Sequence, residues 1–160
     1  MTRSTAHALA LTGALQCLAM LHAAPALAAA PPEPGVVVTL ADVEKVLGGK
    51  FKARSPEPGV VFYEEDGTGY RQVNVYLWPA AGKTVADMKV HLTQQGEPVE
   101  DVAGVGEAAM YRPQGKEATV EKKDKTEELL WLSVAVHNVE DGAATKRFAI
   151  ELAKRGAARL

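Results

Sequence analysis

Cysteine is almost absent from this 160-residue chain, and the one copy, Cys17, lies in an apolar stretch near the N-terminus. Disulfide staples and thiolate-held metals are therefore excluded as the basis of the fold. A membrane-length hydrophobic run is lacking too. The longest, "ALALTGALQCLAML" (Ala8 to Leu21), falls short of the roughly 20 residues that cross a bilayer. No charge of one sign predominates, with 18 Lys and Arg against 20 Asp and Glu. That balance gives no basic stripe for nucleic acid and no acidic solvating tail. Aromatics make up only 6% of the chain, so where they fall carries weight.

The N-terminus reads as a targeting segment. Arg3 precedes the apolar run, and Ala26 and Ala28 supply an A-x-A cleavage site, predicting a secretory signal over 1–28 and a mature chain from Ala29. Gln16 stands before Cys17 where a lipobox needs a small residue, which argues against lipid attachment. The expected location is periplasmic or secreted, with no transmembrane span in the mature chain. "AAPPEPG" (Ala29 to Gly35) opens a proline-rich leader over 29–37, expected to be extended and mobile. About 130 residues follow the signal, enough for one domain with its own core, placed at 38–160.

Two stretches echo each other, "TLADVEKVL" from Thr39 and "TVADMKVHL" from Thr84. Each offers a threonine N-cap, an aspartate three residues later and an apolar stripe at helical spacing. They mark two capped amphipathic helices, from an old duplication or from convergence on one capping pattern. "VVFYEEDGTGYRQVNVYLW" reads as two strands around a glycine turn. Ala108 to Arg112, "KEATVEKK" and "ELLWLSVAVH" supply three more, and a helix from about Gly142 closes the chain. The expected fold is α+β, a two-layer sandwich in the order α-β-β-α-β-β-β-α. Its antiparallel sheet would have about five strands, with the helices on one face.

Several motifs imitate chemistry. "LWPAAGKTVADM" runs strand, loop, Gly82-Lys83-Thr84, helix, but Leu77 stands where a phosphate loop needs its first glycine. "EEDGTG" (Glu64 to Gly69) lacks the alternating oxygens and closing glutamate of a calcium loop and reads as a turn. Past the signal only His91 and His137 remain, without zinc-ligand spacing, so neither metal nor cofactor is expected. "GVGEAA" (Gly104 to Ala109) reads as a turn or bulge feeding a strand. With "PVEDVAGVGEAAMY", the hairpin "ATVEKKDKTEELLWLSVAV" and the final helix, residues 98–158 resemble the second half of small exported bacterial domains of unknown function. These often read "pv.gvGdeA.y", and Glu107 stands here where aspartate is common. The resemblance implies export and fold, and brings no catalytic residues.

What remains is a distributed feature. Tyr70, Gln72, Asn74, Tyr76 and Trp78 alternate onto one strand face, and Trp131 and His137 onto the corresponding face of another. Amphipathic rings beside amides suit contact with an envelope protein or a small ligand. They equally suit cross-strand stabilisation of a solvated sheet, or cover by the leader. The leading expectation is a non-catalytic binding module. A small envelope hydrolase using Glu64, Glu65 or Asp66 with His137 is the alternative, and an inhibitor or immunity-type protein a third. The hydrolase requires a pocket in which a carboxylate and His137 converge.

Overall fold

A computed structural model describes residues 30–160. The expected signal segment and its cleavage site lie outside the described residues. The elements run α1 (Pro34–Val37), α2 (Leu40–Leu47), β1 (Phe51–Arg54), β2 (Val60–Glu65) and β3 (Gln72–Pro79). They continue through α3 (Val85–Gln94), β4 (Glu100–Asp101), β5 (Ala108–Arg112), β6 (Glu117–Lys123), β7 (Leu129–His137) and α4 (Gly142–Ala157). The strands form one antiparallel sheet in the order β1-β2-β3-β7-β6-β5-β4.

The α+β class and the single antiparallel sheet match the reading of the sequence, but there are seven strands rather than about five. The two unforeseen strands lie at the edges and carry no alternation. In β1 only Phe51 is buried, and both residues of β4 are exposed. The stretch expected as an extended leader turns at Pro34 into a one-turn helix, too short for a periodic signal, which drives Val37 into the core.

Strand alternation gives the sheet an apolar inner face. Val73, Val75 and Leu77 of β3 meet Val136, Val134 and Leu132 of β7, and Ala118 and Val120 extend the face across β6. Helices α1, α2 and α4 cover it. Gly156 of α4 lets helix and sheet approach closely, since a Cβ there would stand 2.5 Å from Leu132 Cδ2.

Helix α3 corrects the expectation that all helices share one face. It packs on the opposite, outer face, where Val85 and Leu92 close over Met110 with Met88, Ala108 and Trp131 around them. An apolar stripe demands burial but does not say against which face. The carboxylate of Glu121, buried on β6, settles this by accepting the Val85 amide of the first helical turn at 2.5 Å.

The two echoed segments are both capping boxes. Asp42 N donates to Thr39 Oγ1 at 3.3 Å and Asp87 N to Thr84 Oγ1 at 3.1 Å, each aspartate answering the threonine amide. Helix α2 leads into β1-β2-β3 and α3 into β4-β5-β6, and these two triplets flank β7 as β1-β2-β3 and β6-β5-β4. In an antiparallel sheet β3 and β6 run the same way, so the rotation exchanging them lies along β7 and swaps the faces. The helices obey it, α2 inside and α3 outside. The strand side chains do not, because Val75 and Val120 both point inward at the 45-residue offset. The echo thus repeats a helix start and an element order, without repeating a strand pattern.

Asp42 does more than cap. Its carboxylate, 8% exposed, meets Arg159 at 2.7 Å and Thr39 Oγ1 at 2.7 Å, while Arg159 also donates to Val37 O at 2.7 Å. Burial alone would raise the pKa, but the bonds from Arg159 and Thr39 outweigh it and hold the group at about 2. A carboxyl depressed in the fold stabilises it fully above its unfolded value of 3.8, and that contribution fades as pH falls through 2. The size is about 2 kcal/mol. We predict that the urea midpoint of Asp42→Asn lies well below that of the wild type at pH 6, and that the gap closes towards pH 2. A gap constant over that range would show that the ion pair adds nothing.

Candidate binding face

The outer face of the sheet is divided. On the β5–β6 side α3 covers it, and on the β1–β3 side it is open. Cross-strand pairing sets Trp78 beside Trp131, then Glu121, then Ala108 in one row. The next row runs Tyr76, Ser133, Thr119, Met110, and the third runs Phe62, Asn74, Ala135, Glu117. Where α3 lies over the sheet, even hydroxyls are buried, and Thr119 and Ser133 satisfy one another at 2.9 Å.

On the open side the rings form a diagonal track. Arg54 stacks over Phe62 at 5.5 Å, Phe62 meets Tyr76 edge-on at 6.3 Å, and Tyr76 leans on Trp78 at 5.4 Å. These separations suit favourable ring pairs and cation–π stacking. Trp78 keeps 39% of its surface exposed. Phe62 and Arg54 belong to this track and escaped the sequence reading. Phe62 sits in a run in which Val60, Val61 and Tyr63 are also apolar, so alternation does not single it out.

The expected site residues therefore separate. Gln72, Asn74, Tyr76, Trp78, Trp131 and His137 share the outer face, as strand parity requires. Tyr70 does not join them. It lies in the turn before β3, is 83% exposed, and takes part through its carbonyl, which accepts from Asn138 Nδ2 at 2.6 Å. Trp131 is not open as expected, because α3 leaves it half-buried at the floor of a groove of about 430 Å³. Asp87, Met88 and His91 of α3, with Lys83 just before the helix, form that groove's wall. The indole N–H of Trp131 and the amide oxygen of Asn74 are buried without a hydrogen-bond partner among the described residues.

The carboxylates considered for hydrolysis do not converge on His137. Glu64 binds Arg54 at 3.1 Å, Glu65 binds Arg71 Nε at 2.9 Å, and Asp66 binds Lys52 at 2.7 Å. Glu65 points to the inner face. Glu64 shares the outer face with His137, but Gln72 stands between them, placing the two backbones about 10 Å apart at ~4.8 Å per strand. Burial, reinforced by the Lys116 ammonium and opposed by Glu117, holds the His137 imidazole below its ordinary value. It stands at the end of β7, and among the described residues no carboxylate forms an ion pair with it. The Gly82-Lys83-Thr84 stretch leads into a helix start already filled, with the Asp87 carboxylate on the Thr84 amide at 2.9 Å and Glu121 on that of Val85. Amides that could cradle a phosphate are spent. Among the described residues no cluster of metal-ligating side chains occurs, and no helix is long and apolar enough to cross a membrane.

Fold and face together describe an α+β chain whose single antiparallel sheet is packed on one side and half-covered on the other. No family model, curated protein or solved structure matches the chain.

Proposed function

We propose that this chain is an exported, non-catalytic binding module that holds its partner on the open half of the outer sheet face. The carrying observation is the continuous track Arg54, Phe62, Tyr76, Trp78, which α3 leaves uncovered. Rings already braced against each other on rigid strands give contact area at little entropic cost. Gln72 beside them offers an amide to orient a polar partner, either another envelope protein or a small ligand. Export rests on the N-terminal pattern and on the likeness of residues 98–158 to exported domains.

The test uses the chain from Ala29 to Leu160 immobilised and exposed to envelope extract, with circular dichroism confirming the fold of each variant. Trp78 and Tyr76 are the rings to remove, since Trp131 also supports α3 and its loss would confound folding with binding. Tyr76→Ala with Trp78→Ala is expected to reduce partner retention by at least about tenfold, the scale of central aromatic anchors. Undiminished retention by that double variant would remove the reading.

A further inference from the structure

The inner-face helices carry a second depression, remote from both tryptophans. A groove of about 600 Å³ is lined by α2, the segment before β5 and the outward arc of α4. Its apolar lining comes from Val46, Val105, Phe148 and Ile150. Its rim is cationic. Lys45 and Lys154 have no ion-pair partner among the described residues, and Arg147 has only the Phe148 ring beneath it at 5.2 Å. The one acid of the rim, Glu151, is spent on Arg155 at 2.8 Å. Three uncompensated cations thus surround an apolar floor on a chain whose formal net charge is −2.

Helix dipoles account for part of this. Lys45 and Lys154 lie in the last turns of α2 and α4, where cations are favoured. Arg147 lies in the N-terminal half of α4, where the dipole offers it nothing. It shares a helix face with Ile150 and Lys154, three and seven residues on. The helix ends therefore account for Lys45 and Lys154 but not for Arg147, which the groove alone brings beside them.

We propose that this groove binds a single-chain fatty carboxylate, with the acyl chain on Val46, Phe148 and Ile150 and the head group among Lys45, Arg147 and Lys154. The volume lies within the range of about 300–1,000 Å³ typical of small-ligand sites. A bilayer surface is the poorer occupant. Membrane-seated faces present protruding apolar side chains, and here Val46, Phe148 and Ile150 are all partly buried in a concavity. The apolar chain supplies affinity, and the head group supplies charge selection and salt dependence.

Isothermal titration of the chain from Ala29 to Leu160 with laurate, below its micelle concentration, tests this. Dodecanol and acetate serve as comparators for chain and head group. Laurate is expected to bind at micromolar concentration, and acetate not to bind. Dodecanol and the triple variant Lys45→Glu, Arg147→Glu, Lys154→Glu are each expected to bind about tenfold more weakly. Tyr76→Ala with Trp78→Ala should bind laurate as the wild type does, keeping this site separate from the sheet face. No laurate heat, equal affinity for dodecanol, or an unaffected triple variant would each overturn the proposal. So would co-sedimentation with anionic phosphatidylglycerol vesicles in the absence of laurate binding, which would make a membrane the occupant.

Discussion

Gly106→Ala is expected to lower the stability of the protein by about 3 kcal/mol, the largest effect of any methyl-sized change considered. Two causes add. Gly106 has φ +61°, where an L side chain meets its own backbone, at a cost of roughly 1 kcal/mol. A Cβ at this position would also stand 2.4 Å from Val120 Cγ1 and 2.5 Å from the Glu121 carbonyl oxygen. The valine could turn, but the carbonyl is backbone. It is also held in place, because it accepts the Glu107 amide at 2.8 Å. Overpacking against an immovable group adds about 1–3 kcal/mol.

Gly104 provides the comparison. Its φ is +72°, yet a Cβ there meets nothing within 4 Å. Gly104→Ala should therefore cost only the backbone strain, about 1 kcal/mol. Urea unfolding of both variants measures the difference. Equal losses would mean that the close approach of the 104–107 turn to β6 is not what demands glycine at 106.

That comparison also shows what the sequence could and could not convey. "GVGEAA" announced a turn feeding a strand, and β5 begins at Ala108 as expected. It could not say which glycine mattered, since the answer lies in Glu121, across the sheet. The same limit applies to helices. Thr39, Thr84 and their aspartates fixed where α2 and α3 start, because capping is local chemistry. Which face each helix covers depends on partners distant in the chain. Strand parity placed Tyr76, Trp78 and Trp131 together correctly, and the edge strands β1 and β4 escaped because exposed edges carry no hydrophobic rhythm. The site was legible as far as alternation reaches. Its division into an open track and a covered groove was not, since one docked helix makes it.

Glu121 controls that division, and Glu121→Ala is expected to cost about 2–3 kcal/mol while loosening α3. The carboxylate is nearly buried, and its bond to the Val85 amide combines hydrogen bond, charge and helix dipole. Without it the amide at the start of α3 loses its partner in an apolar setting, at the full desolvation cost. Glu121→Gln retains the shape and an acceptor oxygen, so about half of the loss should remain, because ionised acceptors bind roughly twice as strongly as neutral ones. Trp131 reports the change directly. In a Trp78→Phe background it is the one tryptophan left, and its half-buried indole packs against α3. Freeing the helix should shift its emission to the red and speed exchange of the Val85 amide. Unchanged emission and an unchanged urea midpoint would show that the apolar contacts of Val85 and Leu92 dock α3 unaided. The variant also dissects the candidate face, because Arg54, Phe62, Tyr76 and Trp78 contact one another, whereas Trp131 packs with α3. If the open track is the partner site, Glu121→Ala should retain the partner at a temperature where the sheet stays folded. A parallel loss of retention would move the site beneath α3, to the groove floored by Trp131.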